Sequence, residues 1–175
     1  MVKHELAAGE YNERRAACEE GVRILRQNDP SIRSLRDVSL EDIERSRNQL
    51  PDLICRRCRH VVTENARVQS AAIMLQQGNL RAFGELMKQS HQSLRDDYEV
   101  SSRELDVMVE IGERQAGVFG SRMTGGGFGG CTINVVAATQ AEAFRNNVAA
   151  AYERARGLRP EIYISAAADG ASQAE

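Results

Sequence analysis

The spacing of apolar residues predicts that most of the first two thirds of the chain is helical. From Asn12 onward apolar positions recur every three or four residues, which places Ala16, Val22 and Leu25 on one face of a first helix. The Asp29-Pro30 pair ends this pattern, because a proline cannot continue a regular helix. We therefore expect a first helix from Asn12 to this turn, packed through that face.

Capping signals predict four further helices in the stretch that follows. These signals are an N-cap signature at Ser39 and Asp42, a break at Pro51, a stop and cap at Gly78-Asn79, and a capping-box candidate at Ser101 and Glu104. The longest helix should cover residues 52–77. Its inward-facing candidates are Val61, Val62, Val68, Ala71, Ala72 and Leu75.

The pattern becomes typical of β-strands in the last third of the chain. Residues 117–123 (GVFGSRM) and 131–136 (CTINVV) favour strands and flank a glycine-rich run. Residues 161–170 (EIYISAAADG) predict a final strand, and residues 1–6 (MVKHEL) a short one at the start.

One more helix is predicted between the second and the final of these late strands. Thr139 is placed to cap its start, and Gly157 is placed to end it. Strands at both ends of the chain with helices between them predict an α+β domain, an antiparallel sheet with helices packed on one face. The closing strand–strand–helix–strand part fits half of a ferredoxin-like sandwich. We expect residues 1–175 to form one domain.

Composition narrows the classes of partner. Hydrophobic residues make up 42% of the chain, aromatic residues 5%, and the net charge is −2, so nothing in the bulk numbers favours nucleic acid or an anionic membrane. No apolar stretch has the length of a membrane span, and the start lacks the features of a signal peptide. We expect a cytoplasmic protein whose cysteines, Cys18, Cys55, Cys58 and Cys131, are free thiols.

The glycine run is the candidate for chemistry. Residues 122–133 (RMTGGGFGGCTI) hold five of the chain's 14 glycines. The run matches G-x-G-x-x-G, but a strand follows it where dinucleotide binding requires a helix, and the P-loop lysine is absent. Two interpretations remain: a wide turn whose glycines only supply positive φ, or a loop whose backbone N–H groups cradle an anion such as phosphate.

The residues around this run resemble a known family. The stretch GSRMTGGGFGGCTINVV is similar to the third signature motif of galactokinases, members of the GHMP superfamily of small-molecule kinases. Three further stretches agree with the same pattern in the expected order: VKHELAAGEYNERRAACEE, RCRHVVTENARV and FGELMKQSHQSLRDDYEVSSRELD. The terminal AADGA also agrees, so the resemblance covers nearly the whole chain.

The resemblance implies roles for individual residues. It implies that Gly125, Gly126, Gly127, Phe128 and Gly129 line the phosphate site of ATP, with Phe128 packed inward. It also implies three candidate contacts of the nucleotide, Lys3, Arg122 and Thr124. The alternative for each is a side chain that faces solvent. The resemblance implies that Tyr11 contacts the sugar, against the alternative of a half-buried tyrosine at a helix start.

The resemblance also implies what the chain lacks. Galactokinases have an N-terminal half that carries the sugar-recognition signature, the phosphate loop, and the catalytic Asp and Arg, and none of these motifs occurs here. We expect the C-terminal domain of a galactokinase that uses ATP and Mg²⁺ on galactose, with no catalytic residue and no metal ligand of its own. It should be inactive alone and prone to self-association through the face that meets the missing half. A non-catalytic sugar and ATP sensor, or a GHMP kinase for another sugar, stays open.

A second cluster of residues has a structural interpretation instead of a metal-binding one. Cys55, Cys58 and His60 form CRRCRH, but a structural zinc site needs four ligands and no second pair is present. Two buried thiols on one helix face explain the spacing. The three intervening arginines, Arg56, Arg57 and Arg59, are typical of a solvated face.

Overall fold

A computed structural model describes residues 7–168 of the chain. The helices and strands, in chain order, are α1 (Ala7–Asn28), α2 (Leu40–Arg45), α3 (Asp52–Gln76), α4 (Leu80–Asp96), α5 (Arg103–Glu113), β1 (Val118–Thr124), β2 (Cys131–Val136) and α6 (Ala141–Arg156). Short 3₁₀ turns at Leu35–Asp37 and Ala138–Gln140 precede α2 and α6. The fold is α+β, mostly helical with a small antiparallel sheet, as the sequence predicts for its class.

Local capping chemistry sets several of the helix ends. The Ser39 side chain accepts from the Asp42 N–H while the Asp42 carboxylate accepts from the Ser39 N–H, a complete capping box at the start of α2. Gly78 at φ 66° ends α3, and the Asn79 side chain accepts from the Ala82 N–H to begin α4. The predicted signals at these positions are confirmed.

Three helix starts differ from the prediction. Helix α1 begins at Ala7 rather than at Asn12. The N-cap of α5 is Ser102 rather than Ser101, because the Ser101 hydroxyl donates instead to Asp106. Thr139 does not cap α6, since it lies inside the 3₁₀ turn that leads directly into that helix. Gly157 does end α6, in the left-handed conformation at φ 68°.

The sheet consists of β1 and β2, paired antiparallel from Val118↔Val136 to Thr124↔Cys131 with one irregularity next to Phe119. Both predicted strands are confirmed. The final strand predicted at 161–170 is absent as far as residue 168, because that segment finds no pairing partner among the described residues. The predicted strand at residues 1–6 lies outside them.

Helix α4 lies against β1, backbone to backbone. A Cβ atom at Gly84 would overlap the Phe119 carbonyl oxygen, and one at Gly120 would overlap the backbone of Gly84. Farther along the strand, the Met123 N–H donates to His91 Nδ1 at 3.3 Å. Two glycines and one histidine therefore let α4 occupy the side of β1 that β2 does not pair with.

Most of the apolar core lies among α1, α2 and α3. Its buried members are Ile24, Leu25, Ile32, Leu35, Val38, Ile43, Leu50, Cys55, Cys58 and Val62. A smaller cluster of Val100, Leu105 and Met123 lies under the glycine run.

Outside this core, the spacing of apolar residues does not predict which side chains are buried. Val68 is 61% exposed and Leu75 is 50% exposed, so the prediction that they face inward is wrong in this structure. Ala16 on α1 and Ala72 on α3 are also exposed. The second half of α3 runs past the core, and a helical repeat does not show where its neighbours end. Within residues 7–168 no helix is both long and apolar enough to cross a membrane.

Candidate functional site

The glycine run forms the connection between β1 and β2, here called the glycine loop (residues 125–130). Five of its six residues have positive φ: Gly125 (90°), Gly127 (90°), Phe128 (60°), Gly129 (130°) and Gly130 (112°). A side chain is costly in this region of φ, and so the backbone conformation alone accounts for four of the five glycines.

Gly126 is the glycine that backbone conformation leaves unexplained. Its φ is not positive, and a Cβ atom built on it meets no atom within 4 Å among the described residues. Gly127 is different, because its Cβ would lie 2.7 Å from Val100 Cβ and would also overlap the Val100 carbonyl oxygen. One glycine is thus required by packing inside the domain, while the other leaves open space on the outer side of the loop.

The loop also has free backbone donors. The Phe128 N–H donates to the Val100 carbonyl oxygen at 2.6 Å, which ties the loop to the domain. The N–H groups of Gly125, Gly126 and Gly127 have no protein acceptor within residues 7–168. Successive amides in a turn of this kind form a concavity that suits an anion.

Phe128 packs inward, as the resemblance implies. Its side chain lies against the cluster of Val100, Leu105 and Met123. The guanidinium carbon of Arg14, from α1, lies 5.0 Å from the centre of the Phe128 ring. A residue other than glycine at positive φ is strained and persists only where its surroundings hold it.

The two residues predicted to reach the nucleotide from β1 are placed differently. Arg122 Nη1 lies 3.3 Å from Glu64 Oε1, and its Nε donates to the Met123 carbonyl oxygen at 3.1 Å. The guanidinium is thereby directed toward α3. Thr124 is exposed at the end of β1, beside the glycine loop. A contact of either residue with nucleotide stays a prediction.

Arg122 belongs to a charged group at one end of a cavity of about 300 Å³ between α3, α4 and the sheet. Burial alone would raise the pKa of Glu64, but the Ser90 hydroxyl and the Arg67 and Arg122 guanidiniums together lower it below its ordinary value. Glu64 is therefore ionised and bonded on both oxygens.

Tyr11 lies in α1, 59% exposed, and borders a groove of about 620 Å³ that also contains Cys18 and Tyr98. It is therefore less buried than the structural alternative supposed. Tyr11 and Arg14 are three residues apart and so share one side of the helix. Helix α1 thus carries both Tyr11 and the arginine that lies over Phe128. Lys3 lies outside the described residues.

The arginines of CRRCRH do not form a solvated face, so that interpretation is wrong. Arg57 is 3% exposed; it donates to the Asp97 carbonyl oxygen and binds Glu99 Oε2 at 2.7 Å. Arg56 binds the other oxygen of Glu99, and Arg59 binds the Asp97 carboxylate. Together they hold the turn between α4 and α5.

The two cysteines of the same motif are buried free thiols on α3, as predicted. Burial raises the pKa of Cys58 to about 12, so it is an unreactive thiol at neutral pH. His60 Nδ1 lies 3.0 Å from Ser93 Oγ, and its ring stacks on Tyr98. Within residues 7–168 no group of three or more His, Cys, Asp or Glu side chains is arranged to hold a metal ion.

Comparison with known proteins identifies the fold to which this loop belongs. Residues 71–154, which include the glycine loop, match the family model described as GHMP kinases C terminal. This segment of the chain belongs to the GHMP kinase C-terminal family.

The chain is similar to galactokinases over nearly its whole length. It is 46% identical over 165 residues to galactokinase from Roseiflexus sp. (strain RS-1), an alignment that covers 94% of the chain and 42% of the relative. It is 48% identical to human galactokinase over 170 residues, covering 97% of the chain and 41% of the relative. The chain thus spans less than half the length of the relatives it matches.

A solved structure shows the same architecture. The chain superposes on Lactococcus lactis galactokinase, whose crystal structure contains galactose, with a TM-score of 0.84 and 41% sequence identity. The match covers 90% of this chain and 41% of the other.

Proposed function

We propose that this domain is part of an ATP-dependent galactokinase, which transfers the γ-phosphoryl group of ATP to the anomeric hydroxyl of galactose. In this proposal the glycine loop faces the phosphates of ATP and Tyr11 faces the sugar. Support comes from the similarity to galactokinases along the whole chain and from the geometry of the loop.

Gly126 carries the phosphate assignment. Neither its backbone conformation nor a neighbour within the described residues requires glycine there, so the missing side chain is explained by something that approaches from outside. The free N–H groups of Gly125, Gly126 and Gly127 supply partial positive charge on the same part of the loop. A phosphate oxygen fits a surface that is open and rich in donors.

The remaining parts of the reaction belong outside the described residues in this proposal. Phosphoryl transfer needs a group that orients the sugar hydroxyl and cations, usually Mg²⁺, that neutralise the phosphates. The described residues offer no cluster for a metal ion, so the Mg²⁺ ligands and the catalytic base would come from a partner segment that corresponds to the rest of the relatives. In this proposal the 175 residues form one cytoplasmic domain. The domain should bind ATP, galactose and the partner segment, and it should give no turnover alone.

The decisive test compares two neighbouring glycines in the complete kinase that carries this domain. Gly126→Val should lower kcat/KM for ATP roughly 100-fold or more, because the new side chain occupies the phosphate's space and displaces it from the amides. Its free energy of unfolding should change by less than about 1 kcal/mol. Both quantities come from steady-state kinetics and urea unfolding.

Gly127→Ala is the matched control. Its Cβ meets Val100 at positive φ, so it should destabilise the fold by about 1–3 kcal/mol. Unchanged ATP kinetics in Gly126→Val would refute the phosphate role of the loop. Binding of ATP and galactose by the complete protein without any product would instead favour the non-catalytic sensor.

A second experiment tests Tyr11. Tyr11→Phe removes one hydroxyl and keeps the ring, so loss of a neutral hydrogen bond should weaken galactose binding by about 0.5–1.5 kcal/mol and leave ATP binding unchanged. The measurement is the KM for each substrate. Identical galactose kinetics in the variant would show that the hydroxyl is not a sugar contact.

Self-association is part of the same proposal. Val68 and Ile133 are exposed apolar residues that border one cavity, and a surface of this kind favours association when nothing covers it. Ile133→Lys should raise the concentration at which the isolated chain dimerises, measured by sedimentation. An isolated chain that stays monomeric at high concentration would contradict this part.

A further inference from the structure

The turn between α4 and α5 is held from two other helices. It consists of residues 97–100, and Glu99 within it has positive φ at 53°. From α3, Arg57 binds the Asp97 carbonyl and the Glu99 carboxylate. From α1, Arg14 Nη2 donates to the Glu99 carbonyl oxygen at 2.8 Å, and its Nε donates to that of Tyr98 at 3.3 Å. The turn is thereby fixed relative to both helices.

The same turn holds the glycine loop. The Val100 carbonyl oxygen accepts the Phe128 N–H at 2.6 Å, and Gly127 packs against Val100 so closely that a Cβ does not fit. Any displacement of residues 97–100 therefore moves the middle of the loop.

Arg14 contacts both the turn at residues 97–100 and the glycine loop. Its guanidinium binds two carbonyl oxygens of the turn and lies over the ring of Phe128, and only 13% of its side chain is exposed. A cation over an aromatic face is attracted to it, more strongly where water is partly excluded. Phe128 is the strained residue of the loop, so it is the position most in need of an outside contact.

We propose that Arg14 is a positioning residue, which sets the glycine loop relative to α1 and hence relative to Tyr11, one turn earlier on that helix. This inference rests on the proposed function, because it gives the two substrate-facing elements a fixed separation. Arginine suits the role better than lysine, since its planar group donates to two carbonyls and stacks on the ring at once.

The kinetic test is a double-mutant cycle in the complete kinase. Arg14→Met should lower kcat/KM for both ATP and galactose roughly 5- to 50-fold, and Phe128→Leu should act similarly. The double variant should lose little more than either single variant, because the two side chains act as one unit. Arg14→Lys should fall between Arg14→Met and the wild type.

Arg145 provides the matched control on another helix. It is exposed and paired with Glu142 on α6, and it borders neither the loop nor the groove of Tyr11, so Arg145→Met should leave both kinetic parameters unchanged. Additive losses for Arg14→Met and Phe128→Leu, or a loss confined to one substrate, would overturn the proposal.

A second measurement is independent of catalysis. In Arg14→Met, the amide of Phe128 should exchange with deuterium at least about 10-fold faster than in the wild-type chain. Ser39→Ala, a destabilised variant remote from the loop, corrects for a general loss of stability. If the protein fails to phosphorylate galactose, the proposed function falls, while faster Phe128 exchange still supports the role of Arg14. Equal exchange in Arg14→Met and Ser39→Ala refutes that role even in an active kinase.

Discussion

The helices α1–α3 and the sheet differ in how far their apolar side chains are buried. Among α1–α3, Leu25, Ile43 and Cys58 are at most 1% exposed. In and after the sheet, Ile133 is 50% exposed and Tyr163 is 84% exposed. Both regions contain apolar residues, so the difference in exposure lies in whether a neighbouring element covers them.

This contrast indicates which part of the domain depends on something else. A two-stranded ribbon is marginal without further strands or helices to cover it. Helix α4 protects one side of β1, whereas β2 has no other strand beside it in residues 7–168. The core among α1, α2 and the first half of α3 is closed by those helices, whereas the sheet and the second half of α3 present exposed apolar side chains that suit a partner.

The sharpest test of the contrast is one substitution made in both regions. Ile43→Ala should lower the free energy of unfolding of the 175-residue chain by about 2–5 kcal/mol, because it leaves a cavity in a closed core. Ile133→Ala should cost less than about 1 kcal/mol, because half of that side chain is already in water. Urea unfolding measures both, and equal losses would remove the distinction between the two regions.

Acid should destabilise the helical part through His60. Burial lowers the pKa of His60 from its usual 6.5 to about 4, so the folded state favours the neutral ring. Its contribution to stability is complete above pH 6.5 and is lost as the pH falls toward 4. Between pH 7 and 4.5 the wild-type chain should lose on the order of 2–3 kcal/mol more than His60→Asn.

Unfolding curves at the two pH values check this prediction. Some acid sensitivity should persist in His60→Asn, because burial also lowers the pKa of His91. An identical loss of stability in the wild type and in His60→Asn would show that His60 is not responsible.

The smallest expected difference concerns two serine caps. Ser39 takes part in a complete capping box, so Ser39→Ala should cost about 1 kcal/mol. Ser102 accepts from the Leu105 N–H at a long 3.4 Å, and Ser102→Ala should cost only about half as much. Thermal unfolding of both variants measures the difference, and a larger loss for Ser102→Ala would show that the geometry of the cap does not set its contribution to stability.

Features that depend on a few adjacent residues could be predicted from the sequence. The caps at Ser39, Asn79 and Gly157 and the strands on either side of the glycine loop are of this kind. The exposure of Val68 and the absence of a strand in residues 161–168 could not be predicted, because each depends on whether a distant partner is present. Periodicity describes the face that a segment presents, and a strand forms only where another strand is within reach.

The candidate site divides along the same line. Its glycine loop could be found from composition and motif, since backbone conformation and glycine content are linked at each position. The hydrogen bonds from Arg14 to Tyr98 and to Glu99 span 84 and 85 positions of the sequence, and no local pattern reveals them. The prediction of a solvated face for the arginines of α3 is wrong for the same reason, because charge alone does not distinguish a solvated side chain from a buried one.

The contact between Gly84 and Gly120 has a consequence for how this sequence tolerates change. Helix α4 and β1 meet there through main-chain atoms. Glycine is already the smallest residue, so a substitution at one position cannot make room for a side chain at the other. In a library of every single substitution, these two positions should accept glycine alone. Gly9, which is helical and meets nothing within 4 Å, should accept most residues other than proline.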